Sequence, residues 1–178
     1  MTIHFVFRVM KNTLLVAISV ALATSLATAA ELPPIEAIGV VNAPVREVWK
    51  AWTTADGLKA WLAPHAEFDL RLGGLMRTNY SKSGSLSDDG TIENRVLAFE
   101  SERMIAIQVS RAPTKFPFPN AVKNMWTVLY FLPDGESRTT LRIVGLGFSD
   151  DPESAKMREF FKRGNEYTLS ELQKYYQR

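Results

Sequence analysis

The chain has 178 residues, enough for one domain and thin for two, and its 46% hydrophobic and 22% charged content is that of a soluble globular protein. It contains no cysteine, which excludes a disulfide framework and a lipid anchor on cysteine, and no run of Lys or Arg marks a nucleic-acid surface. The formal charge of +2 comes from Arg8 and Lys11; beyond Ala30, 19 basic residues balance 19 acidic ones.

Arg8 and Lys11 precede an apolar run, Leu14 to Ala23, and small residues close it at Ala27-Thr28-Ala29-Ala30. That is the order of a secretory signal peptide, and the run is short for a membrane span of about 20 residues. Met10 also reads as a start. The expected organisation is a signal peptide over 1–30, cleaved after Ala29 or Ala30, and one domain over 31–178. No membrane span is expected after cleavage, and export without cysteine fits a bacterial periplasm.

Ile35 to Val41 reads as a strand. Pro44 opens a helix whose stripe is Val45, Val48, Trp49 and Trp52, and Thr54 caps a second short helix carrying Leu58, Trp61 and Leu62. Pro64 stops it, followed by the loop residue His65. Ala66-Phe68-Leu70 alternates with Glu67 and Asp69 as a strand, Gly73-Gly74 turns the chain, and Leu75 to Tyr80 returns. After a polar loop, Ser81 to Gly90, come strands Thr91–Phe99 and Met104–Ser110. A proline-rich loop, Arg111 to Asn120, carries Phe116 and Phe118. Asn124–Leu132 and Thr139–Phe148 form a hairpin around Pro133-Asp134-Gly135-Glu136. Asp151-Pro152 then caps a long helix with Met157, Phe160, Phe161, Gly164, Thr168, Leu172 and Tyr175 at helical spacing. A helix of some 38 Å needs a large apolar partner surface. The partner available is an antiparallel sheet of about six to seven strands, which makes the fold class α+β.

Asn42-Ala43-Pro44-Val45-Arg46-Glu47-Val48-Trp49, Trp61, Asp69-Leu70-Arg71-Leu72-Gly73-Gly74, Gly90, Glu102-Arg103-Met104 and Phe161-Lys162-Arg163-Gly164-Asn165 together resemble START-like (helix-grip, SRPBCC) domains. The branch they are most similar to is the heat-shock-protein-90 ATPase activator homologues. The resemblance covers roughly 35–176. It implies a curved sheet gripping the long helix, with a cavity between them; the superfamily hosts carriers, cyclases and regulators.

Alternation expects Phe68, Leu70, Met76, Tyr80, Ile107, Trp126 and Tyr130 on the concave face, with Ile105, Val128, Leu141 and Ile143. Phe160, Phe161 and Tyr167 face them from the helix, and Trp61 and Gly164 complete the expected ligand contacts. These side chains either line a pocket or fill a core. Gly164 either leaves a gap for ligand or lets the helix approach the sheet, and the loop with Phe116 and Phe118 either lids the cavity or packs over a barrel end. Past the signal His65 is the only histidine, and no Ser-His-Asp set, metal spacing or phosphate loop is evident. Glu93, Tyr80 and Arg95 are the remaining acid–base candidates; Glu93 and Arg95 share one strand face. No metal and no cofactor are expected.

Three functions stay open. The first is an exported carrier or sensor of an apolar molecule: a lipid, an isoprenoid or an aromatic compound. The second is a cyclase- or hydrolase-type enzyme using polar cavity residues. The third is a protein regulator with an unspecified partner, against which export argues.

Overall fold

The computed structural model describes residues 29–177. Most of the signal segment expected over 1–30 therefore lies outside the described residues. Ala30 is already held to the body: its N–H donates to Asp150 Oδ1 at 2.8 Å and its carbonyl accepts from Asp150 N at 2.9 Å.

Alternating apolar residues build seven strands: β1 (Ile35–Val41), β2 (His65–Phe68), β3 (Leu75–Asn79), β4 (Ile92–Glu100), β5 (Met104–Arg111), β6 (Trp126–Asp134) and β7 (Arg138–Leu146). They form one antiparallel sheet in the order β1-β7-β6-β5-β4-β3-β2, curled as a half-barrel. His65, expected in a loop, opens β2. The expected strand to Leu70 ends at Phe68, where Asp69 and Arg71 begin the turn to Gly73 (φ 75°).

Two short helices, α1 (Val45–Thr53) and α2 (Ala55–Trp61), follow β1. Pro44 stands one position before α1 rather than within it, and Thr54 caps α2 by accepting from Gly57 N at 3.0 Å. The long helix α3 (Pro152–Tyr175) starts as expected: Asp151 Oδ1 accepts from Glu153 N and Ser154 N at 3.0 and 3.2 Å. It packs along β1, where Gln173 Nε2 donates to Val40 O at 3.0 Å.

The apolar interior forms two clusters. The first joins α1, α2, the sheet centre and the end of α3; Val41, Val48, Leu58, Leu141 and Leu172 are fully buried in it. Trp49 meets Phe131 edge-on at 5.1 Å. The second surrounds a 3-10 turn (Ala121–Lys123) with Ile35, Met125, Phe148 and Met157, packed against Phe116, Phe118 and Phe161.

Candidate functional site

Between these clusters lies a cavity of about 380 Å³, within the usual range of small-molecule sites. Its sheet wall alternates by strand. Met76 and Thr78 come from β3, Ile92 and Asn94 from β4, Ile107 and Val109 from β5, Thr127 and Leu129 from β6, and Ile143 from β7. Trp52 and Leu62 close the end nearest the first cluster. Ala112, Pro113, Phe116 and Val122 close the other, and Phe160, Phe161, Asn165 and Thr168 supply the helix wall.

The expected contacts divide into four groups. Met76, Tyr80, Ile107, Phe160 and Phe161 line the cavity. Trp61 and Gly164 instead line a recess of about 290 Å³ beside it, which shares Leu62, Tyr80 and Thr168 with the main wall. A methyl placed on Gly164 meets nothing within 4 Å, so this glycine leaves a gap and does not mark close helix–sheet contact. Phe68 pairs with Met76 across the sheet and packs into the first cluster without reaching the cavity.

Trp126 and Tyr130 stand on the opposite face. The pairings Thr127 with Ile107 and Leu129 with Ile143 put the other parity of β6 inward. The same shift turns Val128 outward and Leu129 and Phe131 into the core. A one-residue change of register exchanges the two faces of a strand, and β6 is apolar on both. Tyr130 stacks under Arg142, whose guanidinium carbon is 5.3 Å from the ring centre.

Of the acid–base candidates, only Tyr80 is in the wall. Glu93 points outward, its Oε1 held by Arg77 Nε and Arg111 NH2, each at 3.2 Å. Arg95 shares that outward parity and donates to Gly73 O at 3.3 Å. Each lies one position from Asn94, which faces the cavity. Half of Tyr80 is exposed at the cavity edge, while loss of water around its hydroxyl pushes its pKa up. It is therefore a neutral hydroxyl at neutral pH. No charged side chain is in the wall.

The aperture lies where wall residues reach solvent, at Tyr80 and Phe160, 54% and 42% exposed. The proline-rich loop borders it and also packs on the helix. Phe116 is in the wall, and Phe116 and Phe118 meet the Phe160 ring at 5.8 and 5.7 Å. Sequence reading had not placed Trp52, Asn94 or Asn165 in the wall. Trp52 lay in the helical stripe, whose apolar period carries no mark of which member meets a void.

Elsewhere among the described residues, no cluster of three or more His, Cys, Asp or Glu converges as a metal site. No described helix is long and apolar enough to cross a membrane.

The family model described as Activator of Hsp90 ATPase homolog 1-like protein matches residues 42–177. A search of curated proteins finds no match. Among solved structures the chain is similar to protein MLL2253 from Mesorhizobium loti, with 18% identity, a TM-score of 0.62, and coverage of 80% of this chain and 96% of that one. It is similar to the Aha1 dimer from Colwellia psychrerythraea at 14% identity and a TM-score of 0.63, covering 82% of this chain and 96% of that one. The Bacillus halodurans protein BH1534 is similar at 20% identity and a TM-score of 0.61, over 83% of this chain and 99% of that one. At these identities the likeness establishes the fold, which is START-like.

Proposed function

The chain belongs to the Activator of Hsp90 ATPase homolog 1-like family, and we propose that it is an exported binding protein that holds an apolar small molecule in the cavity between sheet and helix. One observation carries this reading. A void of about 380 Å³ persists between two well-packed clusters, and its wall is apolar or neutral throughout. Protein interiors ordinarily fill such space with side chains. Burying a ligand there removes apolar surface from water at about 25 cal/mol per Å².

Catalysis has less to draw on in this wall. Tyr80 is its one titratable side chain, and Glu93 and Arg95 lie on the other face. The Hsp90 activator in the family's description is a protein regulator by name; export, read from Arg8, Lys11 and the apolar run after them, favours a small-molecule partner instead.

The test is native mass spectrometry of the protein expressed with its first thirty residues and purified from the periplasm, followed by organic extraction. The expected result is one apolar molecule per chain and a mature start at Ala30 or Glu31. An empty protein whose melting temperature does not move across a panel of lipids and aromatics overturns the binding reading. An intact first segment in the cytoplasmic fraction overturns export alone.

A further inference from the structure

We infer that export processing cleaves this chain between Ala29 and Ala30, and that the α-ammonium group so formed pairs with the carboxylate of Asp150. The inference rests on the export half of the reading above. It makes the mature terminus a fastened part of the fold.

The strap that leads into β1 is held at four successive residues. Ala30 N–H donates to Asp150 Oδ1 at 2.8 Å, and Ala30 O accepts from Asp150 N at 2.9 Å. Glu31 forms a bridge with Ser149, Leu32 N donates to Phe148 O at 2.8 Å, and Arg158 Nε donates to Pro33 O at 3.1 Å. Leu32 packs on the second apolar cluster. Among the described residues, this run of contacts begins at Ala30.

Two independent observations meet at one peptide bond. In the sequence, Ala27-Thr28-Ala29 is an A-x-A pattern, with alanine at the last and third-last positions before the cut. In the structure, the first hydrogen bonds to the body are those of Ala30. A cut one residue later would remove Ala30 and both of its bonds to Asp150.

Hydrolysis breaks the C–N bond of the Ala29–Ala30 amide. The hydroxyl of water goes to the Ala29 carbonyl carbon, and its proton goes to the Ala30 nitrogen. That nitrogen becomes a primary amine, which is mainly protonated at neutral pH. It keeps a hydrogen to donate and gains a full positive charge 2.8 Å from Asp150 Oδ1. In the precursor the same nitrogen is a neutral amide. The carboxylate is open to the charge: among the described residues no Lys or Arg pairs with Asp150. Both groups are exposed, so the effect is that of a surface ion pair.

Three forms of the protein separate the cases, each released from a removable fusion that leaves a chosen first residue. One starts at Ala30, one keeps Ala27-Thr28-Ala29 ahead of it, and one starts at Glu31. The three extra residues leave the Ala30 hydrogen bonds possible and carry the charge up to about 10 Å away. In low salt at pH 7 the Ala30 form is expected to melt about 1–3 °C above the extended form. The Glu31 form, which lacks both bonds, should also melt below it. Asp150→Asn keeps the acceptor oxygen and removes the charge, so it should abolish the difference between the first two forms. N-terminal sequencing of protein exported with its first thirty residues should read Ala30. Cleavage at any other bond overturns the inference while leaving export intact. So does equal melting of the Ala30 and extended forms, or a difference that survives in Asp150→Asn. A precursor left uncut in the cytoplasm removes the export reading and the inference together.

Discussion

The cavity separates two apolar regions built in different ways. Toward α1 and α2, aliphatic side chains interdigitate: Val41, Val48, Leu58, Leu141 and Leu172 expose nothing and Phe131 exposes 1%. Toward the proline-rich loop, four phenylalanines meet at steep angles with ring centres 5.5–6.3 Å apart, yet Phe160 remains 42% exposed. Branched aliphatics fill space. Phe160 keeps part of its ring in solvent while it lines the cavity, so this set of rings borders open space instead of closing it. The first region is therefore built to hold the fold, and the second to border an opening, with Met125, Phe148 and Met157 as its buried floor.

Truncation separates the two regions most sharply. Leu172→Ala, at the centre of the first cluster, should cost about 2–5 kcal/mol in chemical denaturation. Phe160→Ala should cost about 1 kcal/mol, because half the ring is already in water and what it loses is mainly ring–ring contact. Its main effect should be faster release of bound ligand in stopped flow. Equal losses of stability from both variants would break the comparison.

Two helical glycines draw the same contrast on a smaller scale. A methyl on Gly57 would lie 2.4 Å from the Lys50 carbonyl oxygen and 2.7 Å from Ala51 Cα, where α2 crosses the backbone of α1. That backbone has no room to give, so Gly57→Ala should cost about 1–3 kcal/mol. A methyl on Gly164 meets nothing. Gly164→Ala should stabilise the protein by about 0.5–1 kcal/mol through helix propensity alone. Thermal melts of the two variants should move in opposite directions; a fall for Gly164→Ala would mean that the gap beside Trp61 is tighter than its geometry.

How far the site could be read from sequence follows the same line. The caps at Thr54 and Asp151, the turn at Gly73 and the length of α3 are local devices, and each formed as its residues dictate. Parity was legible in β3, β5 and β7. Met76, Ile107 and Ile143 reach the cavity, and Ile105 and Leu141 the adjoining core. It was not legible in β6, because Trp126, Val128 and Tyr130 are as apolar as Leu129 and Phe131, and size favoured the wrong set. In β4 the inward parity is Ile92, Asn94 and Val96, and its polar member Asn94, between Glu93 and Arg95, blurs the alternation; a bulge between Val96 and Ala98 breaks it further. The contact between Ala30 and Asp150 was beyond reach for a different reason. The two lie 120 residues apart, and no window of sequence contains both.

The smallest effect concerns how the loop bordering the opening is fastened. Glu153 Oε1 accepts from Asn120 N and Ala121 N at 2.9 and 3.1 Å, joining the end of that loop to the first turn of α3. Those backbone N–H bonds hold the Glu153 carboxyl below the ordinary carboxylate range. Asp151 is lowered as well, first by the Ser149 hydroxyl and then by the helix N–H groups. A lowered folded pKa means that the tether is complete above the unfolded value of about 4.3 and is lost as pH falls through the lowered one. Ligand release should therefore be flat from pH 7 to pH 5 and accelerate only below about pH 4. Asp151 titrates in the same direction, so pH alone does not separate the two groups, but Glu153→Gln does. It keeps one acceptor oxygen and removes the charge, so it should release ligand faster at pH 7 while the cap at Asp151, and with it the melting temperature, stays close to wild type. Faster release confined to acid in the wild type and present at neutral pH in the variant would make the loop the gate. Unchanged release in the variant would leave the ring contacts of Phe116 and Phe118 on Phe160 as the whole of the closure.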